Sequence, residues 1–344
     1  MPRFIAILRP LVAPLLLVMI LQPTLASAAE VNVYSARKEA LILPLLQRFE
    51  SETGIKVNLI TAKADELLKR LESEGRSSPA DVLITTDAGR LQRAKDAGVL
   101  QPLDNAVLQE RVPQNLRDSE NYWYGLSMRA RVIFYAKDRV DPGKLSTYEA
   151  LVDPEWNDRI CIRSSGNIYN QSLVASMIEA DGVEATEEWA RGIVANMARK
   201  PAGGDTDQLR AAAAGQCDIA VANTYYYGRL AGSSKDADRA VVDALGLFWP
   251  NQDDRGAHVN VSGAGLTAHA KNPEAAVQLL EFLVNAESQA WYAEVNNEYP
   301  VVADAESSEL LKSFGEFHSD SLNLSKLGEN NRAAVQLMDR AGWR

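Results

Sequence analysis

Ile219-Ala220-Val221-Ala222-Asn223-Thr224-Tyr225-Tyr226-Tyr227-Gly228-Arg229-Leu230 joins a run of small apolar residues to three consecutive tyrosines. The run Ile219 to Ala222 reads as a buried strand, and Asn223-Thr224 is a helix-start signal. The tyrosines therefore sit where a strand ends and a helix begins, the place where open α/β sheets bind ligands. Neighbours on a helix point about 100° apart, so all three rings cannot enter one core and at least one phenol faces a cleft. Two readings stand side by side: aromatic packing with one surface hydroxyl, or a pair of phenolates holding a hard cation.

The chain before this stretch alternates strands and helices. Val31 to Tyr34 reads as a strand, and Ile42, Leu45, Leu46 and Phe49 follow at helical spacing until Thr53-Gly54. Ile55 to Ile60 and Asp81 to Thr85 read as strands, each followed by a helix, over 64–75 and 87–97. That rhythm predicts parallel strands with helices on the sheet faces. Tyr122 to Lys137 lacks a helical stripe and reads as an extended segment crossing into a second lobe. Ser146 to Glu149 matches a capping box ahead of a short helix that Asp153-Pro154 breaks. Arg159 to Arg163 reads as a strand feeding a polar turn, Ser164-Ser165-Gly166-Asn167, and a helix from Tyr169; a helix N-terminus of this kind suits an anion. Helices are predicted over 184–197 and 207–214. Strands over 246–250 and 258–266 are assigned to the return into the first lobe. A helix over 273–284 has Asn272 as its cap, and the tail from Ser307 is mostly helical.

The N-terminus carries Arg3 and Arg9, an apolar run from Leu11 to Leu21, and Ala26-Ser27-Ala28-Ala29. These read as the three regions of a secretory signal peptide, 1–28, cleaved after Ala28 or Ala29. The remaining chain of about 315 residues suits two domains and is expected to be a soluble, exported protein, in a bacterial periplasm. The net charge is −10, and loss of Arg3 and Arg9 takes it to −12; an acid excess opposes nucleic acid and anionic membranes as partners. The two cysteines, Cys161 and Cys217, form either a disulfide, as an oxidising compartment permits, or two buried thiols. Enzyme signatures are missing: there is no G-x-S-x-G, no H-E-x-x-H, and only three histidines.

Several pieces, in order, resemble the periplasmic ferric-ion-binding proteins that serve ABC transporters. They are Val33-Tyr34-Ser35-Ala36-Arg37, Phe49 to Ile55, Pro79-Ala80-Asp81-Val82, Asp153-Pro154-Glu155-Trp156, Cys161 to Ser165 with Asn167-Ile168-Tyr169-Asn170-Gln171, and Asn223-Thr224-Tyr225-Tyr226. The Phe-Glu-x-Glu-Thr-Gly-Ile piece is shared by many solute-binding proteins; the double tyrosine and Asn-Ile-Tyr-Asn are the iron-specific ones. The resemblance spans the exported chain. It implies a two-lobed, type II periplasmic-binding-protein fold, each lobe a mixed sheet flanked by helices, with the ligand cleft at the hinge. The lobes are discontinuous in such proteins, here 29–128 with 251–303, and 129–250 with 304–344.

The resemblance also implies the site. Iron falls to Tyr225 and Tyr226, with Tyr169 as a third phenolate. Relatives often carry a His-Tyr pair after the first strand, where this chain has Lys38 and Glu39, so Glu39 is the candidate fourth ligand or Lys38 a charge partner. Three phenolates neutralise Fe(III), and a bound cation makes the phenolate the stable form of a group with an ordinary pKa near 10. Water or a small anion such as carbonate fills the remaining positions. Ser165 and Asn167 of the turn, with Arg129, Arg131 or Arg229, are the candidates to cradle it. Tyr227 is assigned to packing, as are Tyr34, Tyr122, Tyr124 and Tyr135, and His258 to a structural role. The expected function is delivery of Fe(III) by a monomer to an inner-membrane ABC permease. The alternative is the same fold tuned to an oxyanion, a phosphonate or a polyamine.

Overall fold

The computed structural model describes residues 1–2 and 29–344; the signal-peptide assignment falls almost wholly outside them. β1 (Glu30–Ser35) leads into α1 (Leu43–Thr53), which buries Leu45, Leu46 and Phe49 and ends at Gly54 with φ 72°. That left-handed conformation is one a glycine adopts without a Cβ clash. β2 (Lys56–Thr61), α2 (Ala64–Glu74), β3 (Val82–Thr86) and α3 (Ala88–Asp96) complete the predicted alternation. β1 lies between β2 and β3, parallel to both. The buried Asp81 carboxylate accepts the backbone N–H groups of Asn32, Lys271 and Asn272 at 2.7–2.8 Å. It thereby fastens a sheet strand to the start of a distant helix.

After the short α4 (Ala106–Arg111), the thirteen-residue β4 (Tyr124–Ala136) carries the chain across the molecule. The second lobe follows with β5 (Ile160–Cys161), α5 (Ile168–Asp181), α6 (Val183–Asn196), α7 (Asp205–Ala213), β6 (Ile219–Asn223), α8 (Thr224–Ala231), α9 (Asp236–Ala244) and β7 (Leu245–Phe248). β8 (Val259–Leu266) returns to the first lobe, followed by α10 (Pro273–Leu283), α11 (Ala286–Asn296), α12 (Glu309–Lys312), α13 (Ser325–Glu329) and α14 (Asn331–Arg340). The strand order is β2-β1-β3-β8-β4-β6-β5, with β7 also paired to β4. β4 is the bridge: up to Ala130 it pairs antiparallel with β8, and from Arg131 it pairs with β6. Gly263 and Gly265 let β8 lie close, since a Cβ there would sit 2.6 Å from the carbonyls of Tyr124 and Tyr122.

Two local expectations are corrected, the partner of the 246–250 strand and the Ser146 cap. The strand over 246–250 does not return to the first lobe; β7 pairs Ile133–Ala136, the second-lobe half of β4. The return is made by β8 alone. The tail touches both lobes. α13 packs on α3 as well as α5, because Leu324 N–H bonds the Asn115 carbonyl and Ser325 Oγ bonds Asp118. Ser146 caps nothing: a 3-10 turn spans Glu149–Val152, and Thr147 Oγ1 accepts the Ala150 N–H. Asn272 stands at the N-cap of α10, as expected, without a side-chain bond into the helix; its amide donates to Asp81. Of the two states open to the cysteines, the disulfide is the one formed: Cys161 and Cys217 are joined with their Cα atoms 5.9 Å apart. They come together because β5 and β6 are parallel neighbours. Among the described residues no helix is long and apolar enough to cross a membrane.

Candidate metal centre

The two segments that carry the candidate tyrosines are strand-to-helix junctions side by side. β5 runs through the 162–167 turn into α5, whose second residue is Tyr169. β6 runs straight into α8, whose second and third residues are Tyr225 and Tyr226. Both helices begin at one end of the second-lobe sheet, so the three phenols meet. Tyr225 Oη donates to Tyr169 Oη at 3.2 Å, and the rings of Tyr225 and Tyr226 lie 4.3 Å apart. The helical 100° step turns Tyr227 the other way. Its hydroxyl donates to the Val242 and Leu245 carbonyls, its ring packs on Phe134, and burial pushes its pKa up to about 12.

These phenols form one wall of a cleft of about 170 Å³ lined by Ala36, Arg37, Lys38, Leu41, Thr86, Arg129, Tyr169, Tyr225, Tyr226, Arg229 and Glu298. The first lobe supplies the loop after β1 and the end of β3; the second supplies α5 and α8. Burial first, then the neighbouring phenols, raises the pKa of Tyr225 well above 10; burial and Tyr169 raise that of Tyr226. Without a cation the Tyr225 and Tyr226 phenols are therefore neutral. The cleft's charges suit an anionic filling. Arg229 lies over the Tyr225 and Tyr226 rings at 4.8 and 5.7 Å, and Arg129 over Tyr169 at 5.8 Å. Arg129 is buried, and its Nε has no hydrogen-bond partner. Among the described residues no group of three or more His, Cys, Asp or Glu is placed to hold a metal, which leaves the tyrosines as the converging oxygen donors.

The structure separates the other candidates. Lys38 lines the cleft, whereas Glu39 is exposed on the turn that follows and is not part of the lining. Ser165 and Asn167 lie outside the lining as well. The Ser165 carbonyl accepts from Gln171, and Asn167 stands at the N-cap of α5 without capping it. Arg131, read beside Arg129 as an anion partner, is occupied elsewhere. It bonds Asp205, Asn170, Asn223 and the Val221 carbonyl. His258 is buried and outside the lining; burial and then Arg131, Arg255 and Arg129 push its pKa down to about 3. Sequence reasoning missed the Arg37–Glu298 pair, which is buried at 2.8 Å and braced by Ser127 Oγ donating to Glu298 at 2.6 Å. Burial opposes its charge, but Arg37 holds the Glu298 carboxyl below its usual range. Arg37 stood inside one of the quoted motifs; Glu298 had no signal of its own.

The profile of the bacterial extracellular solute-binding protein family matches residues 77–314. Iron uptake protein A1 of Synechocystis is 50% identical over 315 residues, covering 92% of this chain and 88% of that one. The chain belongs to the periplasmic ferric-iron-binding proteins. A Trichodesmium member of this family, solved with iron and citrate, is 51% identical with a TM-score of 0.90, covering 92% of this chain and all of that one. A more distant family member, the Fe(3+)-binding periplasmic protein of Serratia marcescens, is 29% identical over 318 residues, covering 90% and 89%. Members of the family are iron-binding transport proteins that work outside the cytoplasm, and the two-lobed fold expected from the sequence is the one they share.

Proposed function

We propose that this chain captures Fe(III) in the periplasm through the phenolates of Tyr169, Tyr225 and Tyr226 and delivers it to an inner-membrane ABC permease. The observation that carries the reading is the convergence of three phenols on one cleft, with Tyr225 and Tyr169 oxygens 3.2 Å apart. Fe(III) is hard and highly charged, so it prefers anionic oxygen. It displaces three phenol protons and leaves the first sphere neutral. The first lobe offers Lys38 rather than a phenol at the cleft. The remaining positions therefore go to water or to a small carboxylate or carbonate anion, balanced by Arg129 and Arg229. Glu39 lies outside this ligand set.

The chain acts as a monomer after cleavage of its 1–28 signal peptide, takes no nucleic acid, and carries out no reaction on its cargo. The lobes run 29–128 with 251–303, and 129–250 with 304–344. The partner switch of β4 between Ala130 and Arg131 supports that division, with α13 reaching across. Four cationic residues against one carboxylate in the lining favour, as a second reading, an oxyanion ligand without metal; they oppose a polyamine. Equilibrium dialysis against a ferric chelate distinguishes the two. Wild-type protein retains one iron per chain, and Tyr225→Phe and Tyr226→Phe lose affinity while melting as the wild type does. Iron retention unchanged in both variants would remove the phenolate assignment.

A further inference from the structure

Arg129 and Arg131 lie two residues apart on β4 and face the same side of the sheet. Arg129 looks into the cleft. Arg131 is 2% exposed and spends its guanidinium on the roots of the tyrosine-bearing helices. Nη2 donates to Asn170 Oδ1 at 2.7 Å and to the Val221 carbonyl at 3.1 Å. Nη1 donates to Asn223 Oδ1 at 2.9 Å, and both nitrogens lie 3.3–3.4 Å from the Asp205 carboxylate. Asn170 directly follows Tyr169 at the start of α5, and Asn223 precedes Tyr225 by two residues at the start of α8. Asn170 extends the grip: its Nδ2 donates to the Arg163 and Ser164 carbonyls, at 2.8 and 3.1 Å, which fixes the turn that launches α5. Asp205, 0% exposed, heads α7 and completes the charge pairing.

We propose that Arg131 is a positioning residue for metal binding: its planar guanidinium, held by Asp205, sets the separation of the Tyr169 and Tyr225 phenol oxygens by bonding the residues beside both. This rests on the phenolate reading above. Arginine is the residue for such a role, because its donors lie in one rigid fork, whereas a lysine presents a single point charge that cannot span two acceptors in fixed directions. Groups that orient metal ligands without touching the metal change affinity by about 10- to 100-fold when removed.

The test is a visible-absorption titration of the metal-stripped wild type and of Arg131→Lys with a soluble ferric chelate, with thermal melting to show that each is folded. A residue that merely stabilises the fold moves the melting temperature and leaves the tyrosinate-to-iron band of the loaded protein in place. The expected result is a folded Arg131→Lys protein with a shifted, weaker band and about 10- to 100-fold lower iron affinity. A wild-type band together with an unchanged band and affinity in Arg131→Lys overturns this inference alone. A wild type with no band overturns the phenolate reading and this inference together. Should Arg131→Lys fail to fold, Asn170→Ala cuts one arm of the fork and is read the same way, a shifted band and weaker binding supporting the role and an unchanged titration overturning it.

Discussion

Tyr225 and Tyr226 are desolvated side by side against Tyr169. Burial and the neighbouring Tyr169 keep the phenols of Tyr225 and Tyr226 protonated well above neutral pH, so iron bound through them, as proposed, must displace their protons. Loading at constant pH is expected to release about three protons per iron, and Tyr225→Phe about one fewer; release near zero in the wild type contradicts phenolate ligation. Affinity falls as pH falls, since protons compete for the same oxygens. His258 gives the apo protein its own acid sensitivity. Its folded pKa is depressed from 6.5 to about 3, so between those values the unfolded chain binds the extra proton. Stability is intact above 6.5 and declines toward 3, by about 1.4 kcal/mol per pH unit across the window. Denaturant midpoints of His258→Gln should decline less steeply there than those of the wild type; parallel curves refute the assignment. The tyrosines were legible because a strand ending in Asn-Thr and three aromatics has few ways to fold. The Arg37–Glu298 pair was not: its members are 261 positions apart, and each alone is an ordinary surface residue type.

The strand-to-helix junctions are the working elements. β5 and β6 are adjacent parallel strands, and the Cys161–Cys217 disulfide crosslinks them just ahead of the segments that carry Tyr169 and Tyr225. Closing a loop of 56 residues stabilises the folded chain by about 4 kcal/mol on the chain-entropy account. Reduction, or the double replacement Cys161→Ser with Cys217→Ser, should lower the unfolding free energy by about 2–5 kcal/mol; a denaturation curve that coincides with the oxidised wild type's contradicts it. Most elements could be read from periodicity: α1, α2, α3, α10 and the long β4 fall where the apolar pattern puts them. What failed was partnership. Nothing in 245–248 says which half of β4 it will join, and α13 is five residues whose place depends on Asn115, Asp118 and α3, far away in sequence. Ser146 shows the same limit for caps: the right residue type was present, but the neighbouring Thr147 took the bond.

In the molecule as a whole, β4 and β8 tie the two lobes while the cleft separates Arg37, Lys38 and Thr86 from Tyr169, Tyr225 and Tyr226. Such hinged pairs close on a ligand that touches both sides. Small-angle scattering should show a smaller radius of gyration with ferric iron and a carboxylate anion than without; identical profiles would mean that the cargo is held by the second lobe alone. The acid excess of the chain, −10 overall, surrounds a cleft lined by four cations and one carboxylate, so the local charge is opposite in sign to the whole and suits the anion proposed to complete the iron site. The most direct measurement is the visible absorption of metal-stripped protein during addition of a soluble ferric chelate. A broad tyrosinate-to-iron band that grows to saturation at one iron per chain is the expected result. A protein that stays colourless in excess ferric chelate would mean that Tyr169, Tyr225 and Tyr226 do not ligate iron.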